Sequence, residues 1–174
     1  MKKFIALMLV IAMAASLAAC GNKAADKTPL EGTMEENTMK VMEIAPVEFM
    51  GGIIPVDLTD TSEDGKWTVT NFTGLADASQ ITDVAVYESM MGSQAFSLVM
   101  VRTAEGTDPK AVAEEMKSGI DPRKWICVGA DEIMAAGYGD TVMFIMVDSQ
   151  LGLKAQSYVD AFTQVAGGEL DFTI

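Results

Sequence analysis

Arginine and lysine are scarce in this acidic chain, and four neighbouring or basic positions have the right side chains to meet a ligand. Arg102 and Arg123 are the only arginines, and Arg123 begins the run Arg123-Lys124-Trp125. A guanidinium fork pairs two-point with carboxylate or phosphate, and an indole face stacks on sugars and cations. Arg102, Arg123, Lys124 and Trp125 are therefore candidate ligand-binding residues for an anion or carbohydrate. The plainer alternative is solvated charge beside a partly buried tryptophan. Asp60-Thr61-Ser62-Glu63-Asp64-Gly65 resembles the opening of a calcium loop, with oxygen side chains at Asp60, Ser62 and Asp64 and glycine sixth. The twelfth position, where such loops place a bidentate glutamate, is Asn71. Asp64-Gly65 is equally explained as a two-residue hairpin turn, so no metal is assigned.

Sulfur chemistry is weaker still. Met39-x-x-Met42 and Met90-Met91 carry thioethers that suit copper(I), yet most methionines fall on apolar faces, where they fill cores. Cys127, within Trp125-Ile126-Cys127-Val128, reads as a small buried hydrophobe. The chain has no histidine to activate a thiol, hold zinc or complete a triad. It also lacks Gly-x-Ser-x-Gly, Ser-x-x-Lys, Cys-x-x-Cys and a phosphate-cradling glycine loop. No cofactor is expected.

The most specific signal is the other cysteine. Lys2 and Lys3 precede an apolar and small-residue run from Phe4 to Ala19, which stops at Leu17-Ala18-Ala19-Cys20. The run is shorter than the roughly 20 residues a spanning helix needs, and small residues before its end mark a cleavable leader. Leu-Ala-Ala-Cys resembles the lipobox of bacterial lipoproteins. That resemblance implies a diacylglyceryl thioether on Cys20, cleavage of residues 1–19, and palmitate-type acyl chains that hold the protein to a membrane.

Charge agrees with that division of labour. The chain carries −13 overall, and the leader holds two of its twelve basic residues and no acidic one, leaving ten against twenty-five, or −15. Such a surface is repelled by nucleic acid and by anionic headgroups. Lipid would have to do the anchoring, at about 0.8 kcal/mol per buried methylene. Residues 20–33, small and polar with Pro29 and Gly32, read as the lipidated cysteine and a flexible tether.

The elements that must position these groups follow from periodicity. Residues 34–174 are expected to form one domain. Met34, Thr38, Val41, Met42 and Ala45 share one helical face ahead of Pro46. Ile53 to Phe72 reads as a folded-back hairpin arm turning at Asp64-Gly65. Val84–Met90 and Phe96–Val101 are strands joined at Gly92-Ser93, and Asp108-Pro109 opens a helix that ends at Gly119. A strand at Trp125–Val128 or Ile133–Ala136 then turns at Gly139-Asp140 into Val142–Val147. A closing helix runs from Leu151 to Val165, before Gly167-Gly168. The order β-β-α-β-β-α predicts an α+β two-layer sandwich, an antiparallel sheet with helices on one face, plus the N-terminal helix and arm.

Met39 to Ile174 resembles uncharacterised lipoproteins of Firmicutes, near domain-of-unknown-function family 4358. The residues that carry this are Pro55-Val56-Asp57-Leu58-Thr59-Asp60, Phe72-Thr73-Gly74-Leu75, Gly119-Ile120-Asp121-Pro122-Arg123-Lys124-Trp125-Ile126-Cys127 and Gly167-Gly168-Glu169-Leu170-Asp171. The resemblance implies a small α+β lipoprotein of a Gram-positive bacterium and transfers no functional residue beyond Cys20. The expected function is a non-enzymatic binding or accessory domain on the outer face of the cell membrane, serving a protein or a small solute. The alternatives are a carboxylate-dependent hydrolase of envelope glycans and a structural envelope protein.

Overall fold

The computed structural model describes residues 27–174. The expected leader, Cys20 and the first part of the expected tether lie outside the described residues. Helix α1 (Met34–Ile44) starts at a reciprocal cap: Thr33 accepts from the Glu36 amide, and the Glu36 carboxylate accepts from the Thr33 amide. Its Met34, Thr38, Val41 and Met42 are buried as their spacing requires. Short strand β1 (Gly51–Ile54) follows, then α2 (Glu63–Thr73). Strands β2 (Ile81–Ser89) and β3 (Phe96–Thr103) form a hairpin, and α3 (Pro109–Gly119) takes the Asp108 cap and first-turn proline expected of it. A second hairpin, β4 (Glu132–Tyr138) with β5 (Thr141–Val147), leads through one 3-10 turn (Ser149–Leu151) to α4 (Ala155–Ala166) and β6 (Phe172–Thr173).

All strand pairings are antiparallel, in the order β1-β2-β3-β5-β4-β6, so the α+β class stands as expected. The layering is richer. Phe96, Leu98, Met100, Met143 and Ile145 pack with α1 and α4 on one face. Val99, Val101, Val142, Phe144 and Met146 pack with α2 and α3 on the other. Helices therefore cover both faces, giving three layers where one covered face was expected. The physical cause is visible in β5, whose Val-Met-Phe-Ile-Met-Val is apolar at every position and buried throughout. Side chains alternate across a strand, so an unalternating run needs two dry faces.

The hairpin arm is also corrected. Asp64-Gly65 lies in the first turn of α2, not at a strand turn. Ser62 caps the helix by accepting from the Gly65 amide at 3.1 Å, and Glu63 and Asp64 sit at the positive end of the helix dipole. Trp67-Thr68-Val69-Thr70 alternates locally, but Val69, Phe72 and Thr73 fall three and four apart and face the core. The close approach of α2 to α3 rests on two glycines. A Cβ on Gly119 would overlap the Gly74 carbonyl oxygen, and Gly74 at φ +77° closes α2 in the left-handed conformation. Of the two strands offered after α3, the sheet uses the second, and Trp125–Val128 stays a loop.

The expected tether shortens. Arg102 donates to the carbonyls of Leu30 and Gly32 at 2.8 and 2.9 Å and pairs with Asp140 at 3.0 Å. Lys27 pairs with Asp171 at 2.8 Å, donates to the Glu169 carbonyl and lies 4.9 Å from the Tyr138 ring centroid. Residues 27–33 thus belong to the body, because local carboxylates and carbonyls take up their charges.

Candidate functional site

The loop between α3 and β4 carries three of the four expected ligand-binding residues. Asp121 starts it by accepting from the Arg123 amide at 2.8 Å, and the Ala130 amide closes it onto the Pro122 carbonyl at 2.8 Å. Inside that frame the side chains diverge. Lys124 turns inward: its Nζ is 2.6 Å from Glu88 Oε1 on β2 and donates to the Asn71 carbonyl at the end of α2, 3.1 Å away. Phe72 and Trp125 flank the ammonium, with ring centroids 4.8 and 5.3 Å from it. Burial pushes the Lys124 pKa down, against the pull of the Glu88 charge. Outside that ion pair, Glu88 Oε1 has no hydrogen-bond partner, and neither does the buried indole nitrogen of Trp125.

Lys124 is therefore a plug that pins the loop to the sheet, not a surface platform. Arg123 beside it is exposed. Arg102 sits at the other end of β3, where Asp140, Leu30 and Gly32 occupy its guanidinium. The four candidates do not form one site. Two of them, Lys124 and Trp125, come together, and their partners Glu88, Asn71 and Phe72 come from distant segments.

Pinning the loop pushes the next residues outward. The Ile126 amide donates to the Gly92 carbonyl at 2.7 Å, and its side chain lies over Gly92 but remains 72% exposed. Cys127 is exposed too, with φ +62°, correcting its reading as a buried hydrophobe. The left-handed backbone turns its side chain out of the loop. Ile126 adjoins the turn after β2, where Met90 and Met91 are 61% and 52% exposed. The Met90 amide donates to the Met50 carbonyl at 2.9 Å, and Met50 is 73% exposed. Met50, Met90, Met91 and Ile126 thus form a string of solvated apolar side chains at one end of the sheet. Met90-Met91 was visible in the sequence as paired thioethers. Met50 and Ile126 join them only through the β1–β2 pairing and the loop.

The calcium candidates serve local structure. Asp60 accepts from the Ser62 amide at 2.9 Å, Ser62 caps α2, and Asp64 belongs to its first turn. Among the described residues no group of three or more His, Cys, Asp or Glu is placed to hold a metal ion. The carboxylates with displaced pKa values are Asp57, Asp60, Asp77 and Asp131, each exposed and each lowered by a neighbouring hydroxyl donor: Thr59, Ser62, Ser79 and Ser149. That direction is opposite to the one a general acid needs. A broad depression of about 760 Å³ runs along α1 past Glu35, Glu36, Met39, Lys40 and Glu43, a solvated acidic helix face. Comparison with protein-family models, curated proteins and solved structures finds no match.

Proposed function

We propose that this protein is an exported lipoprotein held to the outer face of the cell membrane by acyl chains on Cys20. Its body is a non-enzymatic binding or accessory domain for another extracytoplasmic protein. The anchor rests on Lys2, Lys3, the apolar run and Leu17-Ala18-Ala19-Cys20.

The observation that carries the binding reading is the string Met50, Met90, Met91 and Ile126. Scattered exposed apolar residues need no explanation, but four brought to one end of the sheet suit a contact surface. Methionine fits that use because its flexible, polarizable side chain adapts to a partner. The chain enters the described body at Lys27, by Tyr138 and Asp171, beyond the other end of β2. Nine residues of β2 separate these ends by about 30 Å. A lipid-tethered molecule of this shape can offer the methionine end to a partner while the other end receives the tether.

Metabolic labelling with a fatty-acid analogue tests the anchor: label on the wild type and none on Cys20→Ala is expected. Equal label on both would end the lipoprotein reading. A photo-crosslinking amino acid at Met91 tests the surface in living cells. A discrete crosslinked species is expected there, and its absence would count against a protein partner.

A further inference from the structure

The methionine string continues onto an open edge of the sheet. Among the described residues, β1 pairs only with β2. The ladder register is Gly51↔Ser89, Gly52↔Glu88, Ile53↔Tyr87 and Ile54↔Val86, and the Met90 amide bonds back to Met50. In an antiparallel pair, residues alternate between facing their partner and facing away. Since Met50 and Met90 bond to each other, Gly52 and Ile54 also face β2, while Gly51 and Ile53 turn their N–H and C=O to the free edge.

This edge lacks the usual protection. It has no charge, proline or bulge within Gly-Gly-Ile-Ile, although it is short. Side chains of the next strand lean over the glycines. A Cβ on Gly51 would overlap the Tyr87 ring, and one on Gly52 would sit 3.1 Å from the Met90 terminal methyl. Tyr87 in turn meets Phe96 edge-on at 6.1 Å. Beside β1, Tyr87 thus covers one face, and on the other Met90 flanks Glu88, which lies opposite Gly52 and is paired with Lys124, while the glycine backbone stays open to close approach.

Charge selects the occupant. Between Lys40 and Lys66 the chain has no basic residue and six acidic ones: Glu43, Glu48, Asp57, Asp60, Glu63 and Asp64. Glu48 and Asp57, both exposed, bracket β1, and hydrogen bonds from Thr59 hold Asp57 ionised. A second copy of this chain would bring the same six carboxylates against these. The first described residue, Lys27, is held at Tyr138 and Asp171 by β4 and β6, the opposite edge of the sheet.

We infer that β1 is a strand-addition site: an extended apolar segment of a partner protein, with lysine or arginine at its ends, pairs with Gly51 and Ile53. The inference rests on the reading of the body as a protein-binding domain and specifies how it binds. Backbone hydrogen bonds supply the pairing, Met90 and Tyr87 receive alternate side chains, and Glu48 and Asp57 receive the basic ends.

The test uses the full chain in detergent and a seven-residue peptide, capped at both termini, with lysine ends and alternating valine and threonine between. Binding followed by calorimetry should weaken with added salt, and a glutamate-ended version should not bind. Ile53→Pro removes only an outward-facing amide, so the folded variant should bind at least about tenfold more weakly, the effect of losing one or two hydrogen bonds. Should that variant fail to fold, a peptide N-methylated at its central residues, tested on the unaltered protein, should show the same loss. Undiminished binding by Ile53→Pro or by the N-methylated peptide overturns strand addition, as does failure of the lysine-ended peptide to bind at all. Concentration-dependent dimerisation abolished by Ile53→Pro would assign the edge to a second copy and overturn the basic partner. A Met91 crosslink that persists unchanged in Ile53→Pro would sink strand addition while leaving the binding reading intact. No crosslink in either protein would remove both.

Discussion

The two ends of the central sheet use similar residues to opposite effect. At one end Arg102, Asp140, Lys27 and Asp171 keep part of each side chain in water and satisfy one another and the carbonyls of Leu30, Gly32 and Glu169. At the other end Lys124 and Glu88 are drawn out of water, with 7% and 12% of their side chains exposed, while Met50, Met90, Met91 and Ile126 are left in it. The first end is a polar clasp on the incoming chain. The second inverts the usual partition, with charge inside and apolar groups outside. Such an inversion costs folding energy, which agrees with the contact role proposed for that end.

The two ends should differ most at Lys124. Lys124→Ala leaves Glu88 buried without its counter-charge and should cost about 3 kcal/mol, read as a fall in the urea midpoint. Replacing both partners, Lys124→Met with Glu88→Leu, should recover most of that loss, since two desolvated charges vanish together. A double variant no more stable than Lys124→Ala would mean the pair is not the plug described.

The clasp should respond more mildly. Arg102→Ala should cost about 1–2 kcal/mol, the scale of a few lost hydrogen bonds to a charged donor. Its signature is local: amide exchange in residues 27–33 should quicken while β3 and β5 stay protected. Uniform quickening across the sheet would show that the clasp and the core are one unit.

Alkaline titration separates core from ends. Tyr158, buried against Phe96, has its pKa pushed up to about 12 by desolvation. The folded state then keeps a proton that the unfolded chain releases near 10, so stability should decline as pH rises from about 10 toward 12. Tyr158→Phe should remove that part of the decline. If the slope is unchanged, the phenol titrates normally. The smallest effect belongs to the exposed string: Met91→Ser should shift stability by no more than about 0.5 kcal/mol while weakening any partner crosslink at that end.

Legibility followed the same divide. Helices α1 and α3 were readable because their caps and apolar spacing act within one turn: Thr33 with Glu36, and Asp108 with Pro109. The β2–β3 and β4–β5 hairpins were readable because short turns join neighbouring runs. Helix α2 was not, because Asp64-Gly65 and the β-branched Thr68, Val69 and Thr70 satisfy a hairpin locally. Only packing of Val69 and Phe72 against the sheet decides for the helix. The site was less legible still. Lys124 and Trp125 were singled out, but as a surface platform, and Glu88 gave no signal at all. A lysine in an exposed-looking loop reveals its burial only once β2 and α2 close around it.

By itself the sequence determined the acidic charge, the apolar run that stops before Cys20, the α+β class and the order of its paired elements. These depend on composition and on contacts between residues close in the chain. Only the tertiary structure decided that helices lie on both faces, that residues 27–33 join the body, and that Met50, Met90, Met91 and Ile126 gather at one end of the sheet. Each of those rests on segments far apart in the chain, and which of many possible long-range contacts forms is settled by burying the whole core at once.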